Sequence, residues 1–210
     1  SEMCIRDRFH TEDGRLESMV QRVYRQIHEV DSDAKVTIAT SKTQVSSIYS
    51  QLGQEVGICI EPCRRDTFPA IALAAAYLKD VQGVAENEAI VICPVDPYVE
   101  KDYFEALQDL CDRAGESDTN LVLMGIEPTY PSEKYGYIIP ETAKQLSRVT
   151  MFREKPTKEV AEEYITQGAL WNGGVFALRL GYVLKRAHEL IDFTAVSYTH
   201  LRAHETLMNL

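Results

Sequence analysis

Five short clusters of polar side chains interrupt an otherwise apolar pattern. Glu61-Pro62-Cys63-Arg64-Arg65-Asp66-Thr67 follows the apolar run 56–60. Asp96-Pro97 closes the run 89–95, which already contains Cys93 and Pro94. Lys134-Tyr135-Gly136-Tyr137 lies in the loop beyond 121–126. Arg153-Glu154-Lys155-Pro156 follows Phe152. Trp171-Asn172-Gly173-Gly174 stands before its apolar run rather than after it. In open α/β sheets, ligands bind beyond the carboxyl ends of strands, so most of these clusters fall where binding groups belong. Each also has a plainer reading. An Asp between a strand and a proline forms turns. Arg64 and Arg65 can be solvated charge. Glu154 and Lys155 can be a surface pair worth almost nothing. A tryptophan such as Trp171 more often fills a core than supports a ligand, and Gly173-Gly174 can simply mark a tight turn. Taken singly, the clusters leave both readings open.

Regular elements must hold these clusters in place. Residues 17–28 set Met19, Val20, Val23, Tyr24 and Ile27 at helical spacing. Residues 36–40 read as a short β-branched strand, and Ser41 then caps a helix through residue 52. A second strand spans 56–60. An almost wholly apolar helix follows, capped by Asp66 or Thr67, with Pro69 in its first turn. A helix apolar on all sides must be buried. Residues 89–95 form a continuous apolar strand of the kind found inside parallel sheets. An amphipathic helix spans 101–114, and another buried strand spans 121–126. This alternation argues an α/β layer fold with a parallel core. Beyond Pro128, short strands at 135–139 and 149–152 suggest an antiparallel extension. A helix at 157–166, a strand at 173–178 and a helix at 181–190 complete the pattern. No internal repeat, low-complexity segment or linker is present.

Composition narrows the function classes. The 210 residues suit one large domain or two small ones, and 45% hydrophobic with 26% charged residues is ordinary globular composition. The longest apolar runs, 70–78 and 89–93, fall far short of the ~20 residues that cross a bilayer. The formal net charge of −10 argues against nucleic acid or an anionic membrane as a partner, while leaving room for a small basic phosphate pocket. The five cysteines are scattered and odd in number, which suits a reducing cytoplasm better than a disulfide framework. Cys59 and Cys63 have no second pair or nearby histidine to complete a zinc site.

Neither end of the chain matches its interior. Residues 1–8 have no apolar core for a signal peptide, and residues 196–210 show neither helical nor strand period. Both read as adaptor-like tails flanking a partial catalytic domain over 9–195. His200 and His204 therefore receive no role.

Five stretches in order resemble the sugar-1-phosphate nucleotidyltransferase family: EPCRRDTFPAIALAA (61–75), VICPVDPYV (91–99), GIEPTYPSEKYGYI (125–138), FREKP (152–156) and LWNGGVFALR (170–179). EKP followed by WNGG is fairly specific to the family, and the EP-x-x-R-(N or D)-T-x-PA pattern points to its guanylyl branch. The resemblance implies a Rossmann-like, mixed but mainly parallel sheet flanked by helices, of the nucleotide-diphospho-sugar transferase type and truncated at both ends. It implies transfer of GMP from GTP to mannose 1-phosphate, releasing pyrophosphate. Such transfer depends on positioning and charge neutralisation more than on covalent chemistry.

By the same resemblance, Asp96 holds Mg²⁺, a hard cation suited to a carboxylate. Glu61 accepts from guanine N1–H and the 2-amino group. Asp66 and Thr67 lie where helix N–H groups meet base or ribose, and Arg65 contacts phosphate or nucleotide. Gly136 admits the sugar close to the backbone, Glu154 and Asn172 bond its hydroxyls, and Lys155 neutralises its phosphate. Asp96 and Lys155 are thus the expected catalytic pair.

The sequence also departs from the family. The opening strand, the glycine-rich phosphate loop and the lysine after it have no counterpart here, nor has the second metal-binding Asp. Phe68 and Pro97 replace the family's usual Ala and His. The chain as given is therefore expected to be catalytically impaired, and to aggregate through exposed apolar surface and unpaired strand edges. The same residues admit two alternatives. One is a relative acting on glucose 1-phosphate with dTTP or UTP. The other is a non-catalytic regulatory relative that binds nucleotide sugar. The sequence leaves the oligomeric state open, a homo-oligomer included.

Overall fold

The computed structural model describes residues 8–11, 14–62, 67–116 and 118–190. Arg65 and Asp66 of the expected nucleotide contacts, and both outer tails save Arg8, lie outside the described residues. The chain divides into two compact units, one of residues 1–121 with 177–210 and one of residues 122–176.

The first unit opens with a small antiparallel hairpin, β1 (Arg8–His10) against β2 (Leu16–Ser18). Helix α1 (Met19–Val30) starts two residues later than its apolar periodicity suggests, because a capping box sets the boundary. The Gln21 amide donates to Ser18 Oγ at 3.3 Å, and the Ser18 amide donates to Gln21 Oε1 at 3.1 Å.

Strands β3 (Thr37–Ser41) and β4 (Gly57–Glu61) pair in parallel, with Thr37 opposite Gly57 and Ser41 opposite Glu61. The helix expected from Ser41 through residue 52 is split into a 3-10 turn, Lys42–Gln44, and α2 (Val45–Leu52). Ser41 makes no side-chain cap; its hydroxyl bonds Thr43 Oγ1 instead. Ile48 on α2 packs with Val56 and Ile58 into a small core.

Helix α3 (Thr67–Asp80) is the apolar helix expected from sequence. Its small Ala75 and Ala76, with Leu73, pack on Leu180, Val183 and Leu184 of α6 (Leu180–Leu190) and on Cys59 of β4. Strand β5 (Ala89–Ile92) ends three residues earlier than the apolar run predicts. Pro94 has no N–H for a ladder, so Cys93 to Val95 leave the sheet and carry Asp96 into a loop. Helix α4 (Lys101–Gly115) follows.

Strand β6 (Leu121–Ile126) begins at the junction of the units. It is not the buried strand expected, since Leu121 and Ile126 at its ends are exposed. In the second unit, β7 (Tyr137–Pro140) pairs antiparallel with β8 (Val149–Arg153) on one side and β9 (Leu170–Arg179) on the other. Strand β9 contributes residues to both units, and the five-stranded sheet runs β5-β9-β7-β8, with β6 also on β9. The fold is thus mixed α/β, with parallel and antiparallel pairs flanked by helices. β9 starts three residues earlier than the apolar run, so Trp171-Asn172-Gly173-Gly174 lies within a strand, not ahead of one. Helix α5 (Lys158–Thr166) covers the second unit's core, where Tyr137, Ile139, Ala161, Ala169 and Trp171 meet. No helix among the described residues is long and apolar enough to cross a membrane.

Tyr137 also fixes the loop ahead of it. Its buried hydroxyl accepts from the Ser132 amide at 2.9 Å and donates to the Ser132 carbonyl at 3.1 Å. Removing that oxygen strands a buried donor and acceptor together. Tyr137→Phe is expected to cost about 1–3 kcal/mol in urea unfolding. An unchanged unfolding midpoint would remove this clamp from the account.

Candidate functional site

The second unit gathers all four residues expected at the sugar phosphate. On β7, Tyr137 stands opposite Arg153 of β8 and Trp171 of β9. One step outward, Gly136 therefore lies between Glu154 and Asn172. The Asn172 amide donates to the Gly136 carbonyl at 2.8 Å. Glu154 folds back over the glycine: a Cβ at position 136 would meet Glu154 Oε2 at 2.7 Å and Phe152 Cζ at 2.9 Å. The missing side chain thus leaves the room that the Glu154 carboxylate and the Phe152 ring occupy.

Lys155 turns the chain sharply. Its φ of 44° is a left-handed value rare for a residue with a side chain. Its amide donates to the Tyr135 carbonyl at 3.3 Å, which holds the turn against the loop before β7. Lys155 Nζ lies 3.1 Å from Glu154 Oε1, and both heads are mostly exposed. Such an exposed pair adds little stability and does not itself account for the strained backbone. Asn172 Oδ1 accepts from the Gly174 amide at 3.2 Å, and Gly174 takes a φ of 72°. This turn within β9 leaves the Asn172 side-chain NH₂ to donate. Trp171, on the neighbouring position, packs in the core and carries the rings of Tyr130 and Tyr135, with centroids at 5.1 and 4.9 Å. The core reading of Trp171 is correct.

The first unit holds the described part of the expected nucleotide and metal group. Glu61 is the last residue of β4 and half-buried, and Thr67 begins α3 and is exposed. A helix of this length directs its free N–H groups past Thr67, a favourable end for negative charge. Asp96 lies exposed in the loop after β5. Among the described residues, no hydrogen bond or ion pair takes up its carboxylate, and no group of three or more His, Cys, Asp or Glu could hold a metal ion. The Asp96 carboxylate fits one position of a Mg²⁺ shell. Mg²⁺ is an ion that keeps several waters, so a single carboxylate would be enough to hold it.

Tyr103 of α4 is a neighbour that sequence reasoning missed. Its hydroxyl is buried without a partner among the described residues. Burial, then the nearby Cys93 and Asp96, hold the phenol well above its ordinary pKa, so it stays protonated. Its place in the first turn of an amphipathic helix resembles that of any core aromatic, and no sequence signal marks it.

The family model described as nucleotidyl transferase matches residues 10–208. A Sinorhizobium fredii mannose-1-phosphate guanylyltransferase is 30% identical over 171 residues, covering 75% of this chain and 33% of that protein. The Pseudomonas aeruginosa alginate biosynthesis protein AlgA is 37% identical over 136 residues, covering 61% of this chain and 27% of that protein. The chain thus spans about a third of the length of these relatives. A Thermus thermophilus structure titled mannose-1-phosphate geranyltransferase superposes with a TM-score of 0.72 at 24% identity, covering 91% of this chain and 58% of that one. At that identity the likeness shows the fold.

Cys93 lies close to Asp96 in sequence but is not a nucleophile. Burial pushes its thiol up to about 11, and reactive cysteines need the opposite shift. The raised value means the folded state holds its proton more tightly than the unfolded state does. Its contribution to stability is full below the ordinary thiol pKa and is lost as pH rises from about 9 to about 11. Iodoacetamide at pH 8 should label Cys93 at least about tenfold more slowly in the folded chain than in urea. Peptide mass mapping reads this, and equal rates would contradict the burial.

Proposed function

The chain belongs to the nucleotidyl transferase family, and from that premise we propose that it serves the transfer of GMP from GTP to mannose 1-phosphate. The observation that carries this reading is the register that sets Gly136 between Glu154 and Asn172. A carboxylate acceptor and an amide donor on either side of one residue without a side chain suit a polyhydroxylated ring at close range. The curated relatives named mannose-1-phosphate guanylyltransferase support the choice of sugar and base.

In this reading a phosphate oxygen of mannose 1-phosphate attacks the α-phosphorus of GTP. A new P–O bond forms, the α–β bridging bond breaks, and pyrophosphate leaves with the bond's electrons. The protein's part is alignment and charge control. Glu154 accepts from sugar hydroxyls, and Asn172 donates its side-chain N–H to another. Lys155 exchanges its contact with Glu154 for the sugar phosphate, neutralising the nucleophile's charge so it can approach the triphosphate. Glu61 accepts from guanine N1–H and the 2-amino group, a pair that adenine and uracil cannot present. Thr67 opens the helix end that receives base or ribose. Arg65 and Asp66 belong to the same strand-to-helix connection. Asp96 is the residue that holds Mg²⁺, which when bound neutralises phosphate charge as a Lewis acid.

Two binding measurements test the reading. Calorimetric titration in Mg²⁺ should give GDP-mannose at least about tenfold tighter binding than UDP-glucose or dTDP-glucose, about 1.4 kcal/mol. Glu61→Gln should erase that preference. Equal binding of all three nucleotide sugars would sink the guanylyl assignment, and binding of none would sink the transferase site itself.

Gly136→Ala tests the sugar side. The new methyl group must displace the Glu154 carboxylate and the Phe152 ring. Mannose 1-phosphate binding should weaken at least about tenfold, with GTP binding unchanged. Unchanged sugar phosphate affinity would place the sugar elsewhere.

A further inference from the structure

Between Ile92 and Lys101 the chain has no regular secondary structure, yet the loop that carries Asp96 is held from α1. Arg22 Nη2 donates to the Val99 carbonyl at 3.1 Å. Gln26 Nε2 reaches the same carbonyl at 3.5 Å. The Arg22 guanidinium lies over the Tyr98 ring, 4.1 Å from its centroid, and Nη2 stands 3.7 Å from Glu100. One planar cation thus grips three successive residues, beginning two positions after Asp96.

The grip is itself anchored. Glu17, a buried carboxylate, lies 4.0 Å from Arg22 Nη1. Arg25 holds Glu17 with two donors, Nε at 3.2 Å and Nη2 at 2.8 Å. Phe9 of β1 packs near the Tyr98 ring at 6.2 Å. Burying a guanidinium is expensive unless it is paired and hydrogen-bonded, and here the side chain is only 12% exposed. Arg22 Nε and Gln26 Oε1 are also buried without partners among the described residues. Two apolar residues would pack α1 against the loop at lower cost. What they would not do is fix the direction of a backbone that has no ladder to hold it.

We propose that Arg22, seconded by Gln26 and Tyr98, is a positioning residue for Asp96. It sets the loop so that the carboxylate stands ready to hold the divalent cation, without touching the cation itself. The inference rests on Asp96 as the metal ligand. Planarity matters, because a lysine could not stack on Tyr98 while donating to Val99 and facing both Glu17 and Glu100.

The test is a Mn²⁺ titration of the ¹⁵N-labelled 210-residue chain, read as paramagnetic broadening of the amides around Asp96. Broadening should be saturable in the wild-type chain and lost in Asp96→Asn. Arg22→Met should raise the midpoint at least about fivefold while thermal unfolding stays within a few degrees. Tyr98→Leu should shift the midpoint the same way by a smaller factor. Tyr98 is 60% exposed, so this variant decides the matter if Arg22→Met does not fold. Broadening unchanged in Asp96→Asn would overturn the metal reading and this inference with it. Broadening lost in Asp96→Asn but unmoved in Arg22→Met and Tyr98→Leu would overturn the positioning role alone.

Discussion

The double antiparallel register of β7 is the constraint on which the second unit depends. Tyr137 is paired on both sides, with Arg153 and with Trp171, and its side chain fills the core beneath α5. A slip of one residue would take Tyr137 and Ile139 off the face that packs with Ala161 of α5 and put Ile138 in their place. The core therefore pins the register, and the register in turn fixes what stands just beyond it. Gly136, Glu154 and Asn172 come level because Tyr137, Arg153 and Trp171 do. The hydroxyl of Tyr137 extends the constraint into the preceding loop through Ser132. A buried aromatic thus governs a polar site on the next residues of three strands.

The first unit meets a different demand. Its largest apolar cluster packs α3 and α6 with Cys59 of β4, and small alanines there let the helices approach closely. The polar groups sit where the ladder stops, because carboxylates cannot enter such a core without partners. Pro94 enforces one such stop and leaves Asp96 on a loop with no backbone ladder of its own. Side chains from α1 take over that task, and the Glu17–Arg25 pair keeps them in place. The cost of a buried cation is offset by pairing, and the return is a defined backbone direction rather than raw stability.

The family relation and the geometry support one another without being the same statement. A family match establishes ancestry and the kind of transfer its members perform, whereas substrate choice belongs to particular atoms. On the proposed sugar side four such groups lie in one unit: a glycine lacking a Cβ, a carboxylate folded over it, a lysine on a strained turn and an asparagine with its N–H groups available. On the proposed nucleotide side, Glu61 and Thr67 close a strand and open a helix, an arrangement with which α/β proteins commonly meet anions and bases.

The sequence by itself determined the kinds and order of most elements, because apolar periodicity and capping act over a few residues. The apolar helix that forms over 67–80, the amphipathic helix read at 101–114 and formed over 101–115, the parallel pairing of β3 with β4 and the antiparallel strands after Pro128 were all legible there. So were the motif residues themselves, as separate stretches of chain. Boundaries set by a competing local bond were not: Gln21 delayed α1, and Pro94 cut β5 short. Only the tertiary structure decided that Trp171-Asn172-Gly173-Gly174 lies inside a strand, since pairing with β7 recruits Leu170 and Trp171. It alone brought Gly136, Glu154 and Asn172 level, and it alone set Arg22 on a carbonyl 77 residues away. Register and burial are decided by partners far along the chain, and no local pattern of residues carries that information.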